Sequence, residues 1–420
     1  MDAFWIIAIG SLVAASCALC GTFLVLRRMT MLGDAISHAV LPGIAIAFLL
    51  TKSRQSVVML FGAAIFGLIT TFIVEALSRG GRVRNDAAIG VTFTSLFAIG
   101  VVLISRYASN VDLDTDCVLY GVIETTTLYT TPVFGLDVPQ AFLQILGVFL
   151  LCLLFVALFF KELKIASFDP EMATAVGINA MLMHYLLMGL VSITAVASFE
   201  PVGAILVVAM LAVPPATAYL LTDNLSKMLV LSVFCGVLSA AGGYFLAVWL
   251  NVSTAGAMTV VTGVFFTIAF LISPRYGVLT RHWERLKLAR SVAREDVLQA
   301  LWRVRERSEK PLDVLGLAAI GQMEISLARR AVRDLLQGGL AAPQNGGFML
   351  TSAGLSAAQE LVHRHRVYEA YLGDLGYPDD HLHDAANRTE HFISRELEQA
   401  VDSAVGNPTR DPHGREIPHD

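Results

Sequence analysis

GAMTVVTGVFFTIAFLISPRYGVLTRHWERLKLAR, residues 256–290, changes character at its midpoint. From Gly256 to Ser273 it carries no charged side chain, and as a helix it is long enough to cross ~30 Å of hydrocarbon. From Arg281 to Arg290 it is basic and polar, with Arg281, Glu284, Arg285, Lys287 and Arg290. The rest of the chain divides at the same place. Residues 1–274 hold 25 charged side chains, and the 146 residues from 275 to 420 hold 40. Of the 23 Phe, all but Phe348 and Phe392 lie upstream, whereas eight of the ten His lie downstream. Overall 15% of the chain is charged, against roughly 25% for an ordinary soluble domain. A purely soluble enzyme is excluded; the reading is a membrane body followed by a soluble, His-rich domain.

Further apolar runs fall at about 4–26, 57–77, 87–105, 140–160, 181–199, 201–221 and 228–250, with a shorter one at 35–50 broken by Pro42. About nine transmembrane helices are expected, or eight if one segment is re-entrant. With nine spans, Arg27, Arg28, Arg79, Arg82, Arg84, Lys161, Lys164 and Lys227 share one side, which places the tail in the cytoplasm and the N-terminus outside. The first run is too long for a signal-peptide core and reads as retained. Pro42, Pro214 and Pro215 predict interrupted helices. The stretch 106–139 reads as a polar outer loop with short helical pieces. All five cysteines fall in the membrane body. Cys17 and Cys20 share a face of an apolar helix, where they read as small packing residues rather than a redox or metal pair.

The expected organisation is a membrane domain over 1–274, a basic juxtamembrane linker over 275–294, a winged-helix-like domain over 295–351 and a helical region over 352–420. Helices at about 295–308, 312–320 and 324–338 precede a hairpin around Asn345-Gly346-Gly347, which is the order of a winged helix. Long helices follow at about 352–373 and 380–404.

Gly33-Asp34-Ala35-Ile36-Ser37-His38-Ala39-Val40-Leu41-Pro42-Gly43 opens the short apolar segment. Asp34 and His38 are four residues apart, so carboxylate and imidazole leave one helical face. Ionisable groups in such a segment are expensive and usually line a pathway. Pro42 also deprives the His38 carbonyl of its helical donor. One carboxylate oxygen and one imidazole nitrogen are partial ligation for Mn²⁺ or Zn²⁺. Equally, Asp34 serves as a helix cap and His38 as a hydrogen-bonding partner for a neighbouring helix.

From Met31 to Gly43 this run resembles the signature of permease subunits of bacterial zinc/manganese/iron ABC importers, a resemblance that covers about residues 1–275. It implies that Asp34 and His38 line a metal path between two permease protomers, hence a homodimer in the bacterial cytoplasmic membrane. Phe168-Asp169-Pro170-Glu171, with Ala173 and Gly177, resembles the loop that docks a coupling helix into the ATPase of such systems. Taken alone it is a capped helix start, with Asp169 as N-cap and Pro170 at N1. The 420-residue sequence contains no Gly-Lys pair of the kind a phosphate-cradling Walker loop requires. A separate ATPase chain and an extracytoplasmic metal-binding protein are therefore the expected partners, and the chain itself is expected not to be an enzyme.

In the tail, His365 and Glu369 are four apart on one helix, while His383, Asn387 and His391 repeat every four on the next, beside Glu390. Two helices offering imidazole and carboxylate can close a divalent site between them. Val362 to Glu369, Leu382 to His391 and Asp411-Pro-His-Gly414 resemble the diphtheria-toxin-repressor class of iron- and manganese-dependent regulators, over about 290–418. That resemblance implies ligand roles for His365, Glu369, His383, Glu390, His391 and Asp296. Asn387 stands where the class has Cys or Glu, and Gln299 where manganese sensors have Glu, so His365, Glu369 and His383 form the site left complete. Arg329, Arg330 and Arg333 on the presumed recognition helix are placed for phosphate contact. The tail's net charge of −2 argues against nucleic acid and for a solvated basic face.

The expected function is import of Mn²⁺, Zn²⁺ or Fe²⁺, with a tail that senses metal. A membrane-anchored metal-responsive DNA regulator and an ATPase-independent channel or secondary transporter are the alternatives.

Overall fold

The computed structural model describes residues 2–51, 56–79, 83–107, 123–133, 136–306, 310–344, 346–378, 386, 395–406 and 408–418. The chain divides into two compact units, Met1–Thr280 and Arg281–Asp420.

Among the described residues of the first unit, nine helical segments are long and apolar enough to cross a membrane. The helices are α1 (Asp2–Leu26), α2 (Thr30–Ala39), α3 (Leu41–Thr51), α4 (Ser56–Arg79), α5 (Asn85–Tyr107), α6 (Gln140–Leu158), α7 (Phe160–Phe168), α8 (Pro170–Ala175), α9 (Ala180–Leu221), α10 (Leu225–Leu250) and α11 (Thr254–Ile272). Together α2 and α3 form one span broken beside Pro42; α9 supplies two, Ala180–Phe199 and Pro201–Leu221. Helices suit these sequences because hydrocarbon offers no partner for a free backbone N–H or C=O.

Helix α1 is the centre of this unit. It packs against α9, α10 and α6, with Ile9, Val13, Phe23 and Leu24 fully buried. Its approach to α9 depends on a glycine and a proline. Pro215 has no N–H for the Leu211 carbonyl four residues back, and that carbonyl abuts Gly21 of α1, where a Cβ would collide with it. The expected break at Pro214 and Pro215 does not occur. Backbone inside α9 departs from helical values at Gly203 (φ 79°, ψ 159°), just after Pro201. A proline φ near −65° fits a helix, whereas a positive φ at Gly203 does not.

The described part of the stretch 106–139 holds two short strands that the expectation of short helical pieces did not include. Among its described residues a 3₁₀ turn, Thr126–Leu128, leads into an antiparallel pair of β1 (Thr130–Val133) and β2 (Leu136–Pro139), registered from Thr130↔Pro139 to Val133↔Leu136; residues 108–122 lie outside the described residues. The β-branched Thr130, Thr131, Val133 and Val138 favour strand, and Pro132 and Pro139 each hold the preceding residue extended. The Glu124 carboxylate accepts the Thr254 amide at 3.2 Å and so caps α11 from that loop.

The second unit opens with α12 (Val278–Glu306), followed by α13 (Val314–Ile320) and α14 (Ile325–Gln337), then the hairpin of β3 (Ala341–Gln344) and β4 (Gly347–Leu350), then α15 (Ser352–Asp374) and α16 (Arg395–Val405). Helix α12 begins well before residue 295. Residues 281–290 are exposed along their whole length, yet Arg, Glu, Leu and Lys are good helix formers and no breaker interrupts them. Asp313 and Thr351 cap α13 and α15, accepting amides from Gly316 at 2.9 Å and Gly354 at 3.1 Å. Helix α14 buries Ala328, Ala331, Val332 and Leu335, one face at helical spacing, against Val297 and Leu301 of α12 and Leu317 of α13. Helix, helix, helix, hairpin is the order the sequence predicts.

Candidate metal sites

Helix α2 positions the first pair. His38 Nε2 lies 3.6 Å from Asp34 Oδ1, and both side chains are partly exposed. Phe93 and Phe97 of α5 border the imidazole, each ring centroid 6.0 Å away. Packing of α2 on α4, α5 and α9 fixes its opposite face, where Leu32 and Ile36 are fully buried. The pair therefore stands on a partly exposed face of α2 bordered by α5, two residues before Val40, with one oxygen and one nitrogen directed together. Such a pair offers two of the ligands a divalent ion needs and leaves the rest to be supplied from outside the helix.

At the opposite end of the sequence motifs, Asp169 caps α8 by accepting the Met172 amide at 2.9 Å, with Pro170 at the first helical position and Gly177 at φ 91° closing the turn. Glu171 is exposed, and so are the apolar Phe168, Met172 and Val176 around it. Beneath this segment, Arg27 donates from Nε to Ser167 Oγ at 3.0 Å and lies 3.3 Å through Nη1 from His184 Nδ1. Burial pulls its guanidinium down to about 10, so it stays charged near neutrality. Sequence reading counted Arg27 among the loop cations and did not single it out.

The tail cluster lies on α15 and the C-terminal segment. His365 Nε2 sits 3.0 Å from Glu369 Oε1, both almost wholly buried. Glu369 Oε2 lies 3.8 Å from His413 Nδ1, and ligand atoms of Glu369, Asp411 and His413 all fall within 4.8 Å of one another. Asp411 Oδ2 is buried and accepts no hydrogen bond. Arg366 Nε lies 3.8 Å from that oxygen, and two carboxylates with one imidazole nitrogen so close together form a donor set that fits a divalent ion.

Of the residues singled out in the tail, His365 and Glu369 come together. Asp296 stands on α12 beside Gly321, outside the grouped ligands. His383, Asn387, Glu390 and His391 lie outside the described residues. Asp411 and His413 were missed as ligands, although Asp411-Pro-His-Gly414 was in view. Alternation two residues apart in a Gly-terminated turn was the available signal, obscured by looking for helical spacing. Arg329, Arg330 and Arg333 are all exposed on α14.

Residues 3–273 match the family model described as "ABC 3 transport family", and residues 351–419 match "Iron dependent repressor, metal binding and dimerisation domain". The chain is 54% identical over 290 residues to the manganese transport system membrane protein MntD of Bacillus subtilis, covering 69% of this chain and 98% of that one. It is 42% identical over 357 residues to the zinc transport system membrane protein TroD of Treponema pallidum, covering 84% and 97%. That alignment is longer than the membrane body and continues into the tail. Among solved structures, PsaBC from Streptococcus pneumoniae in complex with Fab matches with a TM-score of 0.56 at 34% identity, over 67% of this chain and 94% of that one.

Proposed function

Because the chain belongs to the ABC 3 transport family, we propose that it is the permease subunit of an ATP-driven importer of a divalent transition metal, manganese, zinc or iron. The observation that carries this reading is the Asp34–His38 pair, 3.6 Å apart and partly exposed within the span Thr30–Thr51. The relatives named for manganese and zinc transport support the same substrate class. Two protomers in the cytoplasmic membrane bring their α2 helices to a common path. The ion enters from an extracytoplasmic metal-binding protein and sheds water as the carboxylate and imidazole replace it.

Energy comes from a separate ATPase that docks on α8, where exposed Phe168, Met172 and Val176 provide an apolar contact and the Asp169 cap holds the turn rigid. An anchor for a DNA regulator needs one span; nine favour transport.

The tail lies in the cytoplasm and senses the imported metal. Glu369, Asp411 and His413 hold the ion, with His365 beside them. A bound cation there supplies charge neutralisation for a buried carboxylate pair. The exposed arginines of α14 read as a solvated face rather than a nucleic-acid contact. Reconstitution of the full chain with its ATPase, followed by uptake measured ion by ion, tests the assignment. ATP-dependent uptake of at least one of Mn²⁺, Zn²⁺ and Fe²⁺ is expected. Uptake that persists without the ATPase, or none for any of the three ions, overturns it.

A further inference from the structure

Three helices lead to and from the segments that the import reading uses. Helix α1 runs into α2, which carries Asp34 and His38; α6 runs into α7 and the Asp169 turn; α9 follows that turn. A buried polar chain ties these three helices together. Cys20 of α1 donates to the Cys152 sulfur of α6 at 3.7 Å, and that sulfur lies 3.2 Å from Thr194 Oγ1 of α9. Thr194 continues the chain by donating to the Leu190 carbonyl at 2.8 Å. All three side chains are fully buried. Nothing in metal import calls on them. By sequence Cys17 and Cys20 read as packing residues; the fold gives Cys20 a sulfur neighbour 132 residues away.

We propose that Cys20 and Cys152 form a reversible redox latch, in which peroxide joins them as a disulfide that fixes α1 to α6 and arrests transport. The arrest rests on the import reading; the disulfide does not.

Cys152 is the attacking sulfur because the Cys20 thiol already donates to it; Thr194, whose hydrogen goes to the Leu190 carbonyl, offers its oxygen to the Cys152 S–H. It attacks one oxygen of hydrogen peroxide and the O–O bond breaks. The Cys152 proton goes to the departing hydroxide as water, leaving a sulfenic acid. The Cys20 sulfur then attacks the Cys152 sulfur and the S–O bond breaks. The Cys20 proton leaves with that hydroxyl as a second water, and the S–S bond forms. Two thiols are oxidised and one peroxide is reduced. The sulfurs close from 3.7 Å to about 2.05 Å, within reach of side-chain rotation and a small helix shift. Peroxide is small and uncharged, so it reaches a site that charged oxidants do not. A dithiol reductant returns both electrons and restores the thiols. A covalent tie between α1 and α6 restrains any movement of one against the other, next to both segments the import reading uses.

The test uses the full chain with its ATPase in membrane vesicles, treated with hydrogen peroxide and then alkylated. Peptide mapping should show Cys20 joined to Cys152, two hydrogens lighter than the separate peptides, and Mn²⁺ uptake should be lost and then regained with dithiothreitol. Cys20→Ser and Cys152→Ser should each keep uptake under peroxide, whereas Cys17→Ala should still latch. If a serine variant folds poorly, loss and recovery in the unmodified protein still decide the matter. Full alkylation of both thiols after peroxide, or a joined peptide with unchanged uptake, overturns the latch. Absence of uptake from the untreated protein overturns the import reading and the arrest with it, while the joined peptide is still scored by mass.

Discussion

Both carboxylate oxygens of Glu306 accept from one nitrogen of the Arg366 guanidinium, at 2.8 and 2.9 Å, which ties the last turn of α12 to the middle of α15. Arg366 is buried, and its Nε also lies 3.8 Å from Asp411, one of the grouped tail ligands. The guanidinium thus reaches from the end of α12 to the Glu369–Asp411–His413 group. Glu306→Gln should destabilise the second unit by roughly 2 kcal/mol. This is less than the ~3–5 kcal/mol of a fully buried pair, because Glu306 is partly exposed. Hydrogen exchange of the full chain checks it: faster exchange confined to α12, α15 and the C-terminal segment is expected, and unchanged protection there refutes the coupling.

Asp34→Asn and His38→Gln keep the size of each side chain while removing, respectively, the charge and the imidazole nitrogen. Each should abolish metal uptake without reducing expression or assembly with the ATPase. Helix α2 is held by its buried Leu32 and Ile36, not by this pair. Normal uptake by both variants in reconstituted vesicles would remove the pair from the path.

Replacing Asp169 with Ala removes the cap of α8 and costs about 1 kcal/mol locally. In a helix of six residues that is enough to fray it. Asp169→Ala with Glu171→Ala should lower co-purification of the ATPase while leaving metal binding to the permease unchanged. Intact co-purification would move the docking element elsewhere.

Gly21→Ala inserts a methyl against the Leu211 carbonyl that Pro215 leaves without a helical donor. Backbone on both sides gives little room, so a loss of about 1–3 kcal/mol is expected, or failure to assemble. Gly263 of α11 has open space at the same position. Gly263→Ala should therefore gain ~0.5–1 kcal/mol from helix propensity. Thermal unfolding in detergent, followed by size exclusion, should separate the two variants in opposite directions.

Most of the membrane body was legible because a span announces itself by length and apolarity, with no need to know its neighbours. Asp34 and His38 were legible for a related reason: two ionisable residues at helical spacing stand out in an apolar run. What stayed hidden depended on contacts between distant residues. Cys20 meets Cys152, and Glu369 meets Asp411 and His413, through packing that no local period records. Proline misled in α9. Its geometry tolerates a helix, and the real departure fell at Gly203, where only a residue without Cβ sits easily at positive φ. The strands Thr130–Val133 and Leu136–Pro139 were missed because the loop was expected to hold only short helical pieces.

The division between units gives the sensor idea a clean experiment. Residues 281–290 are wholly exposed, and the first buried side chain of the second unit is Ala293. A stop after Arg290 therefore removes the second unit's hydrophobic core without cutting into it. Such a truncation leaves a short basic helix on an intact membrane body. If metal at Glu369, Asp411 and His413 favours one arrangement of the tail, its differential affinity sets how far transport slows; a few kcal/mol is enough to shift a two-state population substantially. The full chain with its ATPase should show an ATPase rate that falls as metal on the tail side rises, and the truncated chain should not. Asp411→Asn should behave like the truncation, since it weakens the cluster while the rest of the tail remains. Protons compete with metal for imidazole nitrogens, so inhibition should also fade as pH drops through the range where histidine protonates. Identical metal dependence in the full and truncated chains would leave the tail a structural role only.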